Sequence, residues 1–283
     1  MKNIFSQEEL LEIQDFGSSL LVHPVNNSIS SDLTLLGEMD DILEVYNHFR
    51  RLDYHPLLDH LVAWLAMSIT NTSFNFLGSR PLTASFESDN LYNFWGFLNT
   101  TCFYSKIEVI SKEKCSIANG KAMNAKRKLS SLEEVSRKAV GRNMDTIYVD
   151  GEMEIGALEI GNQKNDGTKD LKDGYLKLPI VMKDMMKTII DKHPAMKKKV
   201  NIVGYNIQGN QISYMSMDCP KGLQQLPYPT SAEDYASLMP ALLHIAYNGF
   251  KTMSNTLNAV ESDKSLLSAI IPSGNPLVLP DSL

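Results

Sequence analysis

The chain has 283 residues, 43% of them hydrophobic and 21% charged, and a formal charge of −6 at neutral pH. Such a length and composition suit a folded globular protein with one large domain or two modest ones, and exclude a fibrous or disordered chain. The acidity excludes a uniform basic coat for nucleic acid but leaves room for a local basic patch.

In chain order, Gln7 to Phe16 carries a short helical pattern, and Val25 to Ser31 reads as a polar connector. From Asp32, apolar residues recur at helical steps (Leu33, Leu36, Met39, Ile42, Leu43, Tyr46), and a second helix is predicted over Pro56 to Thr70. Ser73 to Ser85 reads as a loop, and Glu87 to Phe103 as a third helix. Lys106 to Ile110 has the makings of a short strand. Lys112 to Arg142 is polar and basic, and Ser131 with Glu134 forms a capping box that predicts a helix over 131–141, ended by Gly141. Strands are predicted at Asp145 to Val149 and Met153 to Gly161. A polar loop, Asn162 to Thr168, then leads to a helical region ending near Lys192. Two further strands follow, Val200 to Ile207 and Gln211 to Asp218, then a helix from Thr230 to about Leu257. Residues 131–218 therefore run α-β-β-α-β-β, the order of an α+β core. The predicted division is a mainly helical region (1–105), the core (106–222), a C-terminal helix (223–260) and a tail (261–283).

The three cysteines, Cys102, Cys115 and Cys219, show no CxxC spacing, which argues against a disulfide framework or zinc cluster and for a reducing compartment. The N-terminus lacks a signal-peptide pattern, and the greasiest stretch, Leu57 to Ile69, carries Asp59 and His60 and is too short to span a bilayer. An intracellular protein of nucleus or cytoplasm, with no membrane partner, is expected. His48, His55 and His60, with Asp53 and Asp59, lack the helical spacing of a metal pair and are expected to serve capping or surface roles. No P-loop, Rossmann glycine pattern or nucleophile elbow is present.

The chemistry concentrates between Gly141 and Gly161. Asp145 opens one strand and Glu159 closes the next, across a turn at Asp150-Gly151. Side chains alternate along a strand, so the turn decides whether the two carboxylates share a face. A three-residue loop, Asp150-Gly151-Glu152, pairs Asp145 with Ala157 and places Glu159 on the same face. A two-residue loop separates them unless a bulge resets the register. Converging carboxylates suit Mg2+, which takes one or two carboxylates together with phosphate oxygens. Glu133 or Glu134 is placed to add a third ligand. The basic run, including Lys126, Arg127, Lys128, Arg137 and Arg142, has the charge to follow a nucleic-acid backbone.

Arg142 to Asp145, Glu154-Ile-Gly-Ala-Leu-Glu-Ile-Gly161, Gly167-Thr-Lys169, Leu176-Lys-Leu-Pro179 and Met182-Lys-Asp-Met185 together resemble a protein family abundant in Mucor-like fungi. That family is similar to the PD-(D/E)XK, or restriction endonuclease-like, nuclease superfamily. The resemblance covers about residues 85–220. It implies a restriction endonuclease-like core, Asp145 and Glu159 as metal ligands, and Glu133 as the upstream helix glutamate. The superfamily places a lysine two residues after the second carboxylate, where this chain has Gly161; the resemblance makes Lys164, Lys169 and Lys177 the candidates to supply that charge from elsewhere, with Lys169 and Lys177 ranked first because both lie at or near a helix start. Two functions follow as expectations: Mg2+-dependent hydrolysis of DNA or RNA phosphodiesters, with Lys169 or Lys177 replacing the missing lysine; or an inactive nuclease-fold module that binds nucleic acid or a protein partner.

Overall fold

A computed structural model describes residues 22–78, 93–125, 138–161, 176–217 and 223–270. The predicted helix at 7–16, the polar loop at 162–168 and the last residues of the tail lie outside these segments. The described chain is α+β: α1 (Asn27–Glu38), α2 (Ile42–Arg50), α3 (His60–Leu77), α4 (Gly96–Thr100), β1 (Glu108–Cys115), α5 (Ile117–Asn124), β2 (Asn143–Asp150), β3 (Met153–Gly161), α6 (Leu178–Lys192), β4 (Ile202–Gln208), β5 (Gln211–Met217), β6 (Leu223–Pro227) and α7 (Ala232–Ile270).

Several boundaries differ from those expected, each for a local reason. The helical period from Asp32 to Tyr46 is two helices, because the Asp41 side chain takes the Leu43 N–H at 3.0 Å and starts α2 afresh. The predicted connector at 25–31 begins α1, which Asn26 caps through the Ser28 N–H. Helix α3 runs through the polar stretch Thr70 to Ser73 to Leu77. There the hydroxyls of Thr72 and Ser73 bond back to the carbonyls of Ser68 and Ile69, so buried polar residues cost little. Of the predicted helix at 87–103, residues 93–103 are described, and there the helix is cut to the short α4 from Gly96 to Thr100.

The six strands form one sheet in sequence order, β1-β2-β3-β4-β5-β6. All neighbours are antiparallel except β3 and β4, which run parallel, with α6 lying between them in the chain. A parallel pair needs such a crossover. Strand β6 and the extension of α7 from Ala232 to Ile270 depart from the expected division at 222 and 260. Val260 is fully buried in α7 and Asp263 nearly so, hence the start of the expected tail belongs to the fold.

One face of the sheet carries α6 and the other α7. Gly204 of β4 sits under Met182 and Leu178 of α6, while Gly156 of β3 lies against Met253 of α7. Helices α1 to α4 contact α7, and one continuous set of buried side chains runs from Ile29 to Val260. The α7 side of the sheet holds Tyr148, Tyr205 and Tyr214, with the Tyr148 hydroxyl donating to Asn99 at 2.8 Å. Burial pushes the hydroxyls of Tyr148 and Tyr205 well above the ordinary tyrosine range, so both remain neutral.

Gly249 of α7 touches Tyr205 so closely that an added methyl would overlap the phenol oxygen. Gly249→Ala is expected to cost about 1–3 kcal/mol through overpacking, despite alanine's better helix propensity. Urea unfolding monitored by far-UV circular dichroism checks this, and the midpoint should fall with no change in slope.

Candidate functional site

The β2–β3 hairpin closes differently from expectation. Asp150 pairs with Met153, so the loop is the two residues Gly151 and Glu152, with Gly151 at φ +58°. By itself this turn would put Asp145 and Glu159 on opposite faces. The register then shifts: Val149 pairs with Glu154 but Tyr148 pairs with Gly156, so Ile155 is an extra residue in β3. This bulge restores the parity that the shorter turn removes. The last ladder partners are Thr146 and Leu158, and one step beyond them the alternation sets Asp145 beside Glu159 on one face. Asp145 accepts the Ile160 N–H at 2.7 Å, which fixes its carboxylate against β3.

Glu159 is 6% exposed, and its Oε1 lies 2.5 Å from Nζ of Lys177. Lys177 stands at the N-cap of α6, with Pro179 in the first turn, where a missing N–H costs nothing. The helix starts at the end of β3 and β4 that carries Glu159, so its N-terminal peptide dipoles add positive potential to the Lys177 charge. Lys177, the one ranked lysine among the described residues, thus contacts Glu159 of the carboxylate pair. Lys164, Lys169 and Glu133 lie outside the described residues, as do Lys126, Arg127, Lys128 and Arg137.

Comparison with protein-family models, curated proteins and solved structures finds no match.

Beside Lys177 opens a shallow cleft of about 810 Å³ whose lining includes Cys115, Gly141, Arg142, Asn143 and Ile180. Gly141 does not end a helix, because residues 138–142 have no helical structure. It is glycine for another reason: a Cβ there would collide with the Ser116 carbonyl at the start of α5. Arg142 is held through its backbone, donating its N–H to Asn119 Oδ1 at 2.9 Å and accepting from the Ser116 N–H at 3.0 Å, while its side chain is exposed.

Helix α5 and the residue that secures it were not expected. Glu154 of β3, buried, accepts from the Ile117 N–H (2.7 Å), the Ala118 N–H (3.0 Å) and the Ser116 hydroxyl (2.7 Å). Asn119 then donates to Asp184 of α6 at 2.8 Å. The only sequence signal was Ser116 at the N-cap, three residues before Asn119; the carboxylate that completes the cap comes from thirty-eight positions away.

Of the N-terminal histidines, His55 accepts the N–H groups of Leu57 and Leu58 through Nδ1, and Asp59 accepts the His55 N–H. These bonds close the turn before α3. Among the described residues, no three histidines, cysteines or acids group as a metal site, and no helix is long and apolar enough to cross a membrane. Asp145 and Glu159 alone still fit Mg2+, which needs only one or two carboxylates when phosphate oxygens complete its shell.

Proposed function

We propose that this protein is a restriction endonuclease-like nuclease that hydrolyses phosphodiester bonds of DNA or RNA with Mg2+. The observation that carries this reading is the contact between Lys177 and Glu159, because it brings a cation to the carboxylate pair that Gly161 cannot supply. Three further features support it. Asp145 and Glu159 stand side by side on adjacent antiparallel strands. The crossover helix α6 starts at the same end of the sheet. The adjacent cleft presents Arg142 and Lys177, whose charges suit a phosphate backbone.

Asp145 and Glu159 would hold the metal; when bound, it supplies Lewis acidity and lowers the pKa of a bound water. Asp145 is oriented by the Ile160 N–H, which its carboxylate accepts at 2.7 Å. Lys177 neutralises Glu159 in the absence of substrate. On substrate binding its ammonium transfers its hydrogen bond to the attacking water or to a phosphate oxygen, and the α6 N-terminus favours the same anion. Arg142, exposed at the rim, contacts the backbone away from the scissile bond.

The double variant D145A/E159A is expected to lose Mg2+-dependent cleavage of DNA and RNA completely, while its circular dichroism spectrum is kept. Full activity in that variant would overturn the assignment. The second reading is an inert nuclease-fold module, favoured by Gly161 itself. Salt-sensitive nucleic-acid binding with no cleavage in Mg2+ would establish it instead.

A further inference from the structure

The sheet face that carries Asp145 and Glu159 does not end with them. Glu159 is the parallel-ladder partner of Asn206 on β4, Asn206 pairs with Ser213 on β5, and Ser213 with Gln225 on β6. Directly paired residues point to one side, so a polar row crosses five strands of the sheet. Gln225 donates to Ser213 at 3.2 Å. Asn206 is different: it is 2% exposed, and its side-chain nitrogen has no hydrogen-bond partner among the described residues.

A buried amide N–H group without a partner costs on the order of 1–3 kcal/mol. Swapping the amide oxygen and nitrogen would not remove the polar group from this place. Two sites along the strand the same face holds Gly204, closely covered by Met182 and Leu178, so an apolar side chain would suit the surroundings of β4 well. The one acidic neighbour across the ladder is Glu159, whose Oε1 is engaged by Lys177.

We infer that Asn206 is a positioning residue for Glu159: its amide is the donor that holds the Glu159 carboxylate in its metal-binding orientation once Lys177 has given way to the incoming cation or to substrate. The inference rests on the nuclease reading and deepens it. The Lys177 ammonium and the Asn206 amide then alternate as partners of one carboxylate. The ammonium neutralises it in the resting state; the amide orients it without cancelling the charge that a cation requires. A neutral donor is the correct chemistry for that second task, since a second lysine would compete with the metal.

The test is Mg2+ binding to the purified full chain, without nucleic acid, followed by calorimetric titration in the wild type and in Asn206→Leu and Asn206→Ser. Loss of a residue that orients a ligand lowers metal affinity about 10- to 100-fold. Both variants are expected to show this loss, while the metal-free melting temperature of Asn206→Leu stays level or rises. Unchanged Mg2+ affinity in both variants, beside clear binding by the wild type, overturns the role of Asn206 and leaves the nuclease reading standing. Absence of Mg2+ binding in the wild type overturns both. A fall in metal-free stability with no fall in affinity shows a merely structural side chain and also overturns the proposal.

Discussion

Lys177→Met is expected to abolish cleavage, to leave Mg2+ binding intact or tighter, and to destabilise the metal-free protein. All three effects come from one contact. The Lys177 and Glu159 side chains are 19% and 8% exposed, so the pair is largely withdrawn from water. Removing one member of a buried pair leaves the other charge uncompensated, at a cost of roughly 3–5 kcal/mol. The methionine keeps most of the lysine stem, which separates loss of charge from loss of packing. Mg2+ should restore part of the lost stability, because it now takes the position of the counter-charge without competition. Glu159→Gln in the same chain should restore metal-free stability by neutralising the carboxylate, but should abolish the Mg2+ effect. Cleavage should fall by at least about 100-fold in Lys177→Met, the scale on which a single group stabilising charge at the reacting centre acts. The measurements are thermal unfolding with and without Mg2+, and cleavage of labelled DNA and RNA. Wild-type cleavage by Lys177→Met would remove the lysine from the mechanism.

The sequence made β2, β3 and β5 legible because each carries isoleucine, valine or aromatic side chains between turn residues. It made α6 legible as a helical region ending near Lys192. The carboxylate pair was also legible, although for a partly mistaken reason. Parity along a strand can be counted, but a bulge cannot be counted in advance. The shorter turn at Gly151-Glu152 and the extra residue Ile155 cancel, and only coordinates reveal two compensating irregularities. Lys177 stood among three candidates because its choice depends on where α6 begins relative to β3, which is a tertiary matter.

What stayed hidden is held by distant partners. Helix α5 has eight residues that include Gly120 and two asparagines, with almost no apolar stripe, inside a basic stretch that reads as solvated. Nothing local would keep it helical. Asn206 carries no signal either, since an asparagine within a strand is notable only once its burial and its neighbour are known. Strand β6 is five residues of Leu-Gln-Gln-Leu-Pro, whose glutamines gave no apolar alternation to read.

Glu154→Ala is expected to be the most damaging single change away from the carboxylate pair. Three donors at the start of α5 lose their acceptor together: the N–H groups of Ile117 and Ala118 and the hydroxyl of Ser116. Ser116 and Ala118 are almost fully buried, so water cannot replace the carboxylate without opening the structure. Hydrogen bonds to a charged acceptor contribute about 1.5–3 kcal/mol each, and the three are not independent. A loss of about 3 kcal/mol or more follows, equivalent to a melting temperature lower by roughly 6–12 °C for a chain of this size. Glu154→Gln keeps the shape and one acceptor oxygen but turns an NH2 group towards donors, so about half that loss is expected. The consequence reaches the cleft, because α5 holds the backbone of Gly141 and Arg142 through Ser116 and Asn119. Nucleic-acid affinity should therefore weaken in both variants, while Mg2+ affinity should not, because the proposed ligands Asp145 and Glu159 lie towards the other end of the hairpin. Equal stability of Glu154→Ala and wild type would mean that α5 is held by something other than this carboxylate. Loss of Mg2+ affinity in Glu154→Gln would mean that the two ends of the hairpin are mechanically coupled through Ile155.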